Sequence, residues 1–118
     1  MKYSTATAVL AALSPLVFPG VAADRKRECS CESLTNGRWG YDWQLTFNAC
    51  SNSYSGEANY NHGLGRCKWF GGKRVDSKNW NADCEVAARN GYYPITDNAI
   101  DTTEPKITGR SGRGSCKR

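Results

Sequence analysis

The chain has 118 residues, with 16 Lys plus Arg against 11 Asp plus Glu, six cysteines and one histidine. That length accommodates one small domain, a lone histidine with no Cys-x2-Cys spacing argues against zinc, and no apolar run is long enough for a membrane span. The formal charge of +5 overstates the basicity, because Lys2 and the cluster Arg25-Lys26-Arg27 contribute to it; residues 28–118 hold 12 cations and 10 acids, or +2, which argues against a strongly cationic membrane-active protein.

In chain order, Met1-Lys2 precedes a nearly uncharged stretch, Ala6 to Phe18, that is short and interrupted by Pro15. It reads as a signal peptide covering residues 1–23, with the small residues Val21-Ala22-Ala23 suited to cleavage after Ala23. Residues 24–27 read as a short basic propeptide, with Lys26 and Arg27 forming a kexin-type cleavage site. Residues 28–118 are then a single cysteine-rich domain, released in soluble form. Cys29, Cys31, Cys50, Cys67, Cys84 and Cys116 all fall within it, and an even cysteine count in a short secreted domain reads as a disulfide framework. Cys29 and Cys31 are too close to bridge each other without strain, so different partners are expected; six cysteines allow 15 connectivities, and which of them is present is not read from sequence alone. No metal and no cofactor is implied.

Trp43, Phe47 and Cys50 recur at i, i+4 and i+7, which predicts a helix over Tyr41 to Cys50 with Asp42 as its cap and both rings on the core face. Glu57 to Gly65 is rich in Asn and Gly and reads as a loop. Arg66 to Phe70, Gly71-Gly72 and Lys73 to Asp76 read as a hairpin or strand-turn-strand. A second helix is expected over Ser77 to Asn90, capped by Asp76 or Ser77, with Trp80, Cys84, Ala87 and Ala88 on one face and Asn90-Gly91 as the stop. Tyr92 to Ile95 adds an extended segment. From about Thr102 the chain reads as an irregular basic tail, with Lys106, Arg110, Arg113, Lys117 and Arg118, pinned at its end by Cys116. The expected fold is therefore α+β: a small disulfide-stapled single domain with one or two short helices and a small antiparallel sheet.

The succession Cys29-x-Cys31, Thr46 with Ala49-Cys50, a Gly/Tyr loop from Ser55-Gly56 to Tyr60, Cys67, Val75-Asp76-Ser77, Trp80 and Cys84 resembles the small cysteine-rich proteins that filamentous fungi secrete, among them candidate effectors of plant pathogens. The resemblance covers roughly residues 29 to 84. Single cysteines stand where such proteins often carry Cys-Cys pairs, and the segment ending at Cys116 is additional. The resemblance implies a non-enzymatic, virulence-associated role: binding a host protein or cell-surface component in the apoplast or inside a host cell.

Three other functions are consistent with the residues. A secreted ribonuclease needs a base, an acid and a phosphate-binding cation; Glu57, His62 and Arg66 are the candidate set, although no dedicated nucleic-acid motif accompanies them. A glycan-binding protein needs exposed rings beside polar groups, for which Trp39, Tyr41 and Trp69 are the surface candidates. An antimicrobial or killer-type toxin would share the leader, basic site and bridges, but the low net charge weighs against it.

Overall fold

The structure, a computed structural model, describes residues 25–117. The proposed leader and the cut after Ala23 lie outside the described residues. The elements in order are β1 (Arg25–Lys26), β2 (Glu28–Thr35), β3 (Arg38–Tyr41), α1 (Trp43–Tyr54), β4 (Ala58–Asn61), β5 (Arg66–Trp69), β6 (Val75–Asp76), α2 (Ser77–Asn90), β7 (Ile95–Thr96), β8 (Ala99–Ile100) and β9 (Ser111–Lys117). Two helices, a small antiparallel sheet and three disulfides make this the α+β fold that the sequence implies.

β2 is the central strand. β9 runs along one of its edges from Leu34↔Ser111 to Glu28↔Lys117, while β5 and β3 share the other edge end to end. β4 pairs with β5 on the far side. With the β3 flap set aside, the order is β9-β2-β5-β4 and the chain runs β-α-β-β-α-β, the split β-α-β arrangement. Both helices contact each other and pack on the same face of the sheet. The alternation in β2 follows from this: Cys29, Cys31 and Ser33 are buried under the helices, and Glu28, Ser30 and Glu32 point the other way.

Local chemistry sets the helix ends. The Asp42 side chain accepts from the Leu45 N–H at the start of α1, and Asp76 accepts from the Lys78 N–H at the start of α2. Gly91, with φ of 89°, ends α2 where a side chain would be strained, and its N–H bonds the Ala88 carbonyl. The core is built on rings: Trp69 and Trp80 meet edge-on at 5.7 Å, Tyr54 packs on both, and the Trp80 indole N–H donates to the Ser30 carbonyl at 2.8 Å. The bridges Cys29–Cys116, Cys31–Cys84 and Cys50–Cys67 tie β2 to β9, β2 to α2, and α1 to β5. Cys29 and Cys31 do take different partners.

Three expectations change and one element is added. The stretch from Glu57 to Gly65 contains strand β4, whose Ala58 and Tyr60 oppose Trp69 and Cys67. β5 and β6 do not pair with each other; β6 pairs with β1, so Arg25 lies opposite Asp76 and Lys26 opposite Val75, and the Arg27 carbonyl accepts from the Trp69 N–H. The end of the supposed tail is β9, paired along its whole length. It lies directly under α2 because Gly112 and Gly114 have no side chain: a Cβ on Gly112 would stand 2.5 Å from the Cys84 carbonyl oxygen, and one on Gly114 would stand 2.6 Å from the Trp80 ring. Finally, β2 and β3 form a tight hairpin through Asn36-Gly37, both at positive φ. That dipeptide is the strongest short-range hairpin signal and marks an element that periodicity alone does not reveal.

Candidate binding site

Because the Asn36-Gly37 hairpin projects β3 past the sheet, the inner face of the hairpin is left facing the first turn of α1. Between them lies a groove of 480 Å³. Ser33, Thr35, Gly40 and Asp42 line it together with Arg38 and Arg110, and Trp39, Tyr41 and Trp43 complete the lining; with Trp39 opposite Leu34 and Gly40 opposite Ser33, the Trp39 ring turns to the other face of the hairpin. All three rings remain open to solvent, Trp39 by 37%, Tyr41 by 53% and Trp43 by 41%.

Each ring is held in place. Trp39 carries the Arg113 guanidinium over its face at 4.2 Å, and Arg113 is itself fixed by Glu32 at 2.7 Å. Tyr41 donates its hydroxyl to the Gly65 carbonyl and meets the Tyr60 hydroxyl at 2.9 Å; burial, followed by the bond to Tyr60, raises its pKa. Gly65 permits this approach, since a Cβ there would stand 2.8 Å from the Tyr41 hydroxyl oxygen. Trp43 leans on Tyr60, which continues the aromatic surface to Phe47 at 5.3 Å and His62 at 5.0 Å.

Asp42 joins these parts. One carboxylate oxygen caps α1 through the Leu45 N–H, and the other accepts from the Ser33 hydroxyl at 2.8 Å and from the Tyr92 hydroxyl. Arg110 stands 3.6 Å from that second oxygen and donates to the Tyr92 hydroxyl at 3.2 Å. Burial, then the hydrogen bond to Asp42, pushes the Tyr92 pKa up to about 12. The hairpin, α1 and the segment after α2 thus meet on one carboxylate.

The sequence candidates divide. Trp39 and Tyr41 are at the surface beside the groove. Trp69 is corrected: it is 1% exposed, because alternation along β5 turns Cys67 and Trp69 inward beneath the helices. Trp43, expected in the core, is also corrected: the buried stripe of α1 runs through Leu45, Thr46, Asn48, Ala49 and Cys50, and Trp43 lies off it. Glu57 and His62 flank opposite ends of the four-residue strand β4, which separates them by on the order of 15 Å. His62 packs among the rings of Phe47 and Tyr60, and Arg66 pairs with Glu28 at 3.5 Å. The three do not converge on one point. The groove residues that periodicity does not place there are Arg38, Trp43 and Arg110. The hairpin signal at Asn36-Gly37 places the first, and the helix cap at Asp42 places Trp43 at the exposed tip of α1.

All six cysteines are bridged, so none is free to act as a nucleophile or a metal ligand. Among the described residues, no helix is long and apolar enough to cross a membrane. The chain matches no protein-family model, and no curated protein or solved structure matches it.

Proposed function

We propose that this chain is a secreted, non-enzymatic binding protein of the effector type, which works outside the producing cell by docking on a host component through the groove and its aromatic rim. The observation that carries this reading is the exposure of Trp39, Tyr41 and Trp43 on the hairpin and the first turn of α1, beside Arg38 and Arg110. Isolated surface rings are ordinary, whereas a fixed cluster of Trp and Tyr beside an arginine pair has the composition of an interaction hot spot. Three closed bridges with no free thiol suit an oxidising compartment and so support the extracellular assignment.

Peptide mass spectrometry of colonised host tissue against axenic culture filtrate tests the host-directed role. Accumulation confined to colonised tissue is the expected result; equal abundance in both would redirect the reading to a wall-binding or antimicrobial protein. A glycan is the target class that the groove itself favours, because it sets flat rings beside hydrogen-bonding side chains. Ribonuclease activity has no such support, given the separation of Glu57 from His62.

A further inference from the structure

Resting on this binding reading, we infer that the hairpin groove is a site for an anionic sugar: a short oligosaccharide bearing carboxylate or sulfate groups, stacked against Trp43 and held by Arg38 and Arg110.

Asp42 is the one carboxylate that lines the groove. Its side chain is only 10% exposed, and both oxygens are engaged by Leu45, Ser33, Tyr92 and Arg110. The Ser33 hydroxyl proton is likewise directed to Asp42. A neutral sugar, which binds through hydroxyls that must both give and receive hydrogen bonds, finds no free carboxylate oxygen here.

Donors are in surplus. The Arg38 side chain lines the groove with no hydrogen-bond or ion-pair partner among the described residues. Arg110 is 35% exposed at its side chain and commits one terminal nitrogen to Tyr92 and Asp42, which leaves the rest of its five-donor fork available. A planar fork of this kind matches a carboxylate or sulfate. Gly40 keeps the floor low, since nothing lies within 4 Å of where a Cβ would stand, and the Trp43 indole offers a flat apolar face for the C–H side of a pyranose. A ligand rich in acceptors, negatively charged and with one apolar face satisfies all three features together.

Calorimetric titration of the oxidised protein with hexagalacturonate, a heparin-derived hexasaccharide, chitohexaose and hexaglutamate tests the assignment. The expected result is binding of an acidic oligosaccharide at least tenfold tighter than chitohexaose, weakened about tenfold by Arg38→Gln and again by Trp43→Ala, with both variants still unfolding cooperatively from a folded state. Preference for the sulfated oligomer supports the same site and makes sulfate the substituent; preference for the uronate makes it carboxylate. Equal binding of chitohexaose, insensitive to Arg38→Gln, overturns the anionic assignment and leaves the binding reading standing. Hexaglutamate binding as tightly as either acidic sugar, or acidic binding unaffected by Trp43→Ala, reduces the groove to a general anion surface and overturns the sugar. No binding to any oligosaccharide overturns the inference alone, because accumulation in host tissue is read separately.

Discussion

The two helices meet the same sheet in opposite ways. α2 lies so close to β9 that only Gly112 and Gly114 fit beneath it, and it buries Trp80, Cys84 and Ala88 completely. α1 buries small and polar residues, Thr46, Asn48 and Ala49 with Leu45, and leaves Trp43 in solvent beside Tyr41 and Tyr60. Large rings therefore serve the surface at the start of α1, while Trp80 of α2 joins Trp69 and the Tyr54 ring from the end of α1 in the core. The difference separates what holds this molecule together from what it presents, and it can be broken at one side without the other.

The largest contrast is between two tryptophans. Trp69→Ala removes a ring that is 1% exposed and packed on Tyr54 and Trp80, and is expected to cost about 3–5 kcal/mol in chemical denaturation. Trp43→Ala removes a ring that is 41% exposed and is expected to change stability by no more than about 1 kcal/mol while weakening ligand binding. Equal losses in stability from the two variants would erase the division.

The bridges sharpen it next. In the chain-entropy description, Cys31–Cys84, which spans 53 residues and joins β2 to α2, contributes about 4 kcal/mol, whereas Cys50–Cys67, which spans 17 and joins α1 to β5, contributes about 3 kcal/mol. Replacing each pair by serines and comparing thermal unfolding should rank them in that order. The reverse order would mean that α1, not α2, anchors the domain.

Glycines give the third contrast. Gly114→Ala would press a methyl group onto Trp80 and the Cys84 sulfur and is expected to cost about 1–3 kcal/mol. Gly40→Ala meets nothing within 4 Å and is expected to leave stability within about 0.5 kcal/mol, its effect confined to the groove it partly fills. Paired denaturation and titration of the two variants reads both effects.

These glycines also explain what the sequence conceals. Both helices were legible because their ends carry local chemistry, Asp42, Asp76 and Gly91, that acts without tertiary context. β9 and β4 were not. In β9 the glycines occupy the buried side, where a strand ordinarily shows Val or Ile, because the neighbour there is a helix backbone; composition alone reads Ser-Gly-Arg-Gly-Ser as a tail. In β4 the two asparagines bracket Tyr60, an inward ring flanked by outward polar residues, and the alternation is too short to stand out against a Gly-rich neighbourhood. Trp69 was legible in principle, since Arg66 and Lys68 alternate with Cys67 and Trp69. The groove was not, because its parts lie on the hairpin, the tip of α1 and Arg110, and only the fold brings them together.

The two regions are not independent where Tyr92 meets Asp42, and alkaline pH tests that joint. The Tyr92 pKa is about 12 in the folded protein against about 10 for an unfolded tyrosine, so between those values the folded state keeps a proton that the unfolded state has lost. Its contribution to stability is therefore complete below about pH 10 and disappears as pH rises toward about 12. Tyr41 and Tyr54 are shifted in the same direction, burial being the first cause for each, so the wild-type urea midpoint should be level to about pH 10 and fall beyond it. Tyr92→Phe should lower the midpoint at neutral pH by about 1 kcal/mol equivalent, through loss of a donor to Asp42, and should flatten part of the alkaline decline. A variant whose decline parallels that of the wild type would mean that Tyr92 does not couple the segment after α2 to the cap of α1, and that the groove side can loosen without disturbing the core.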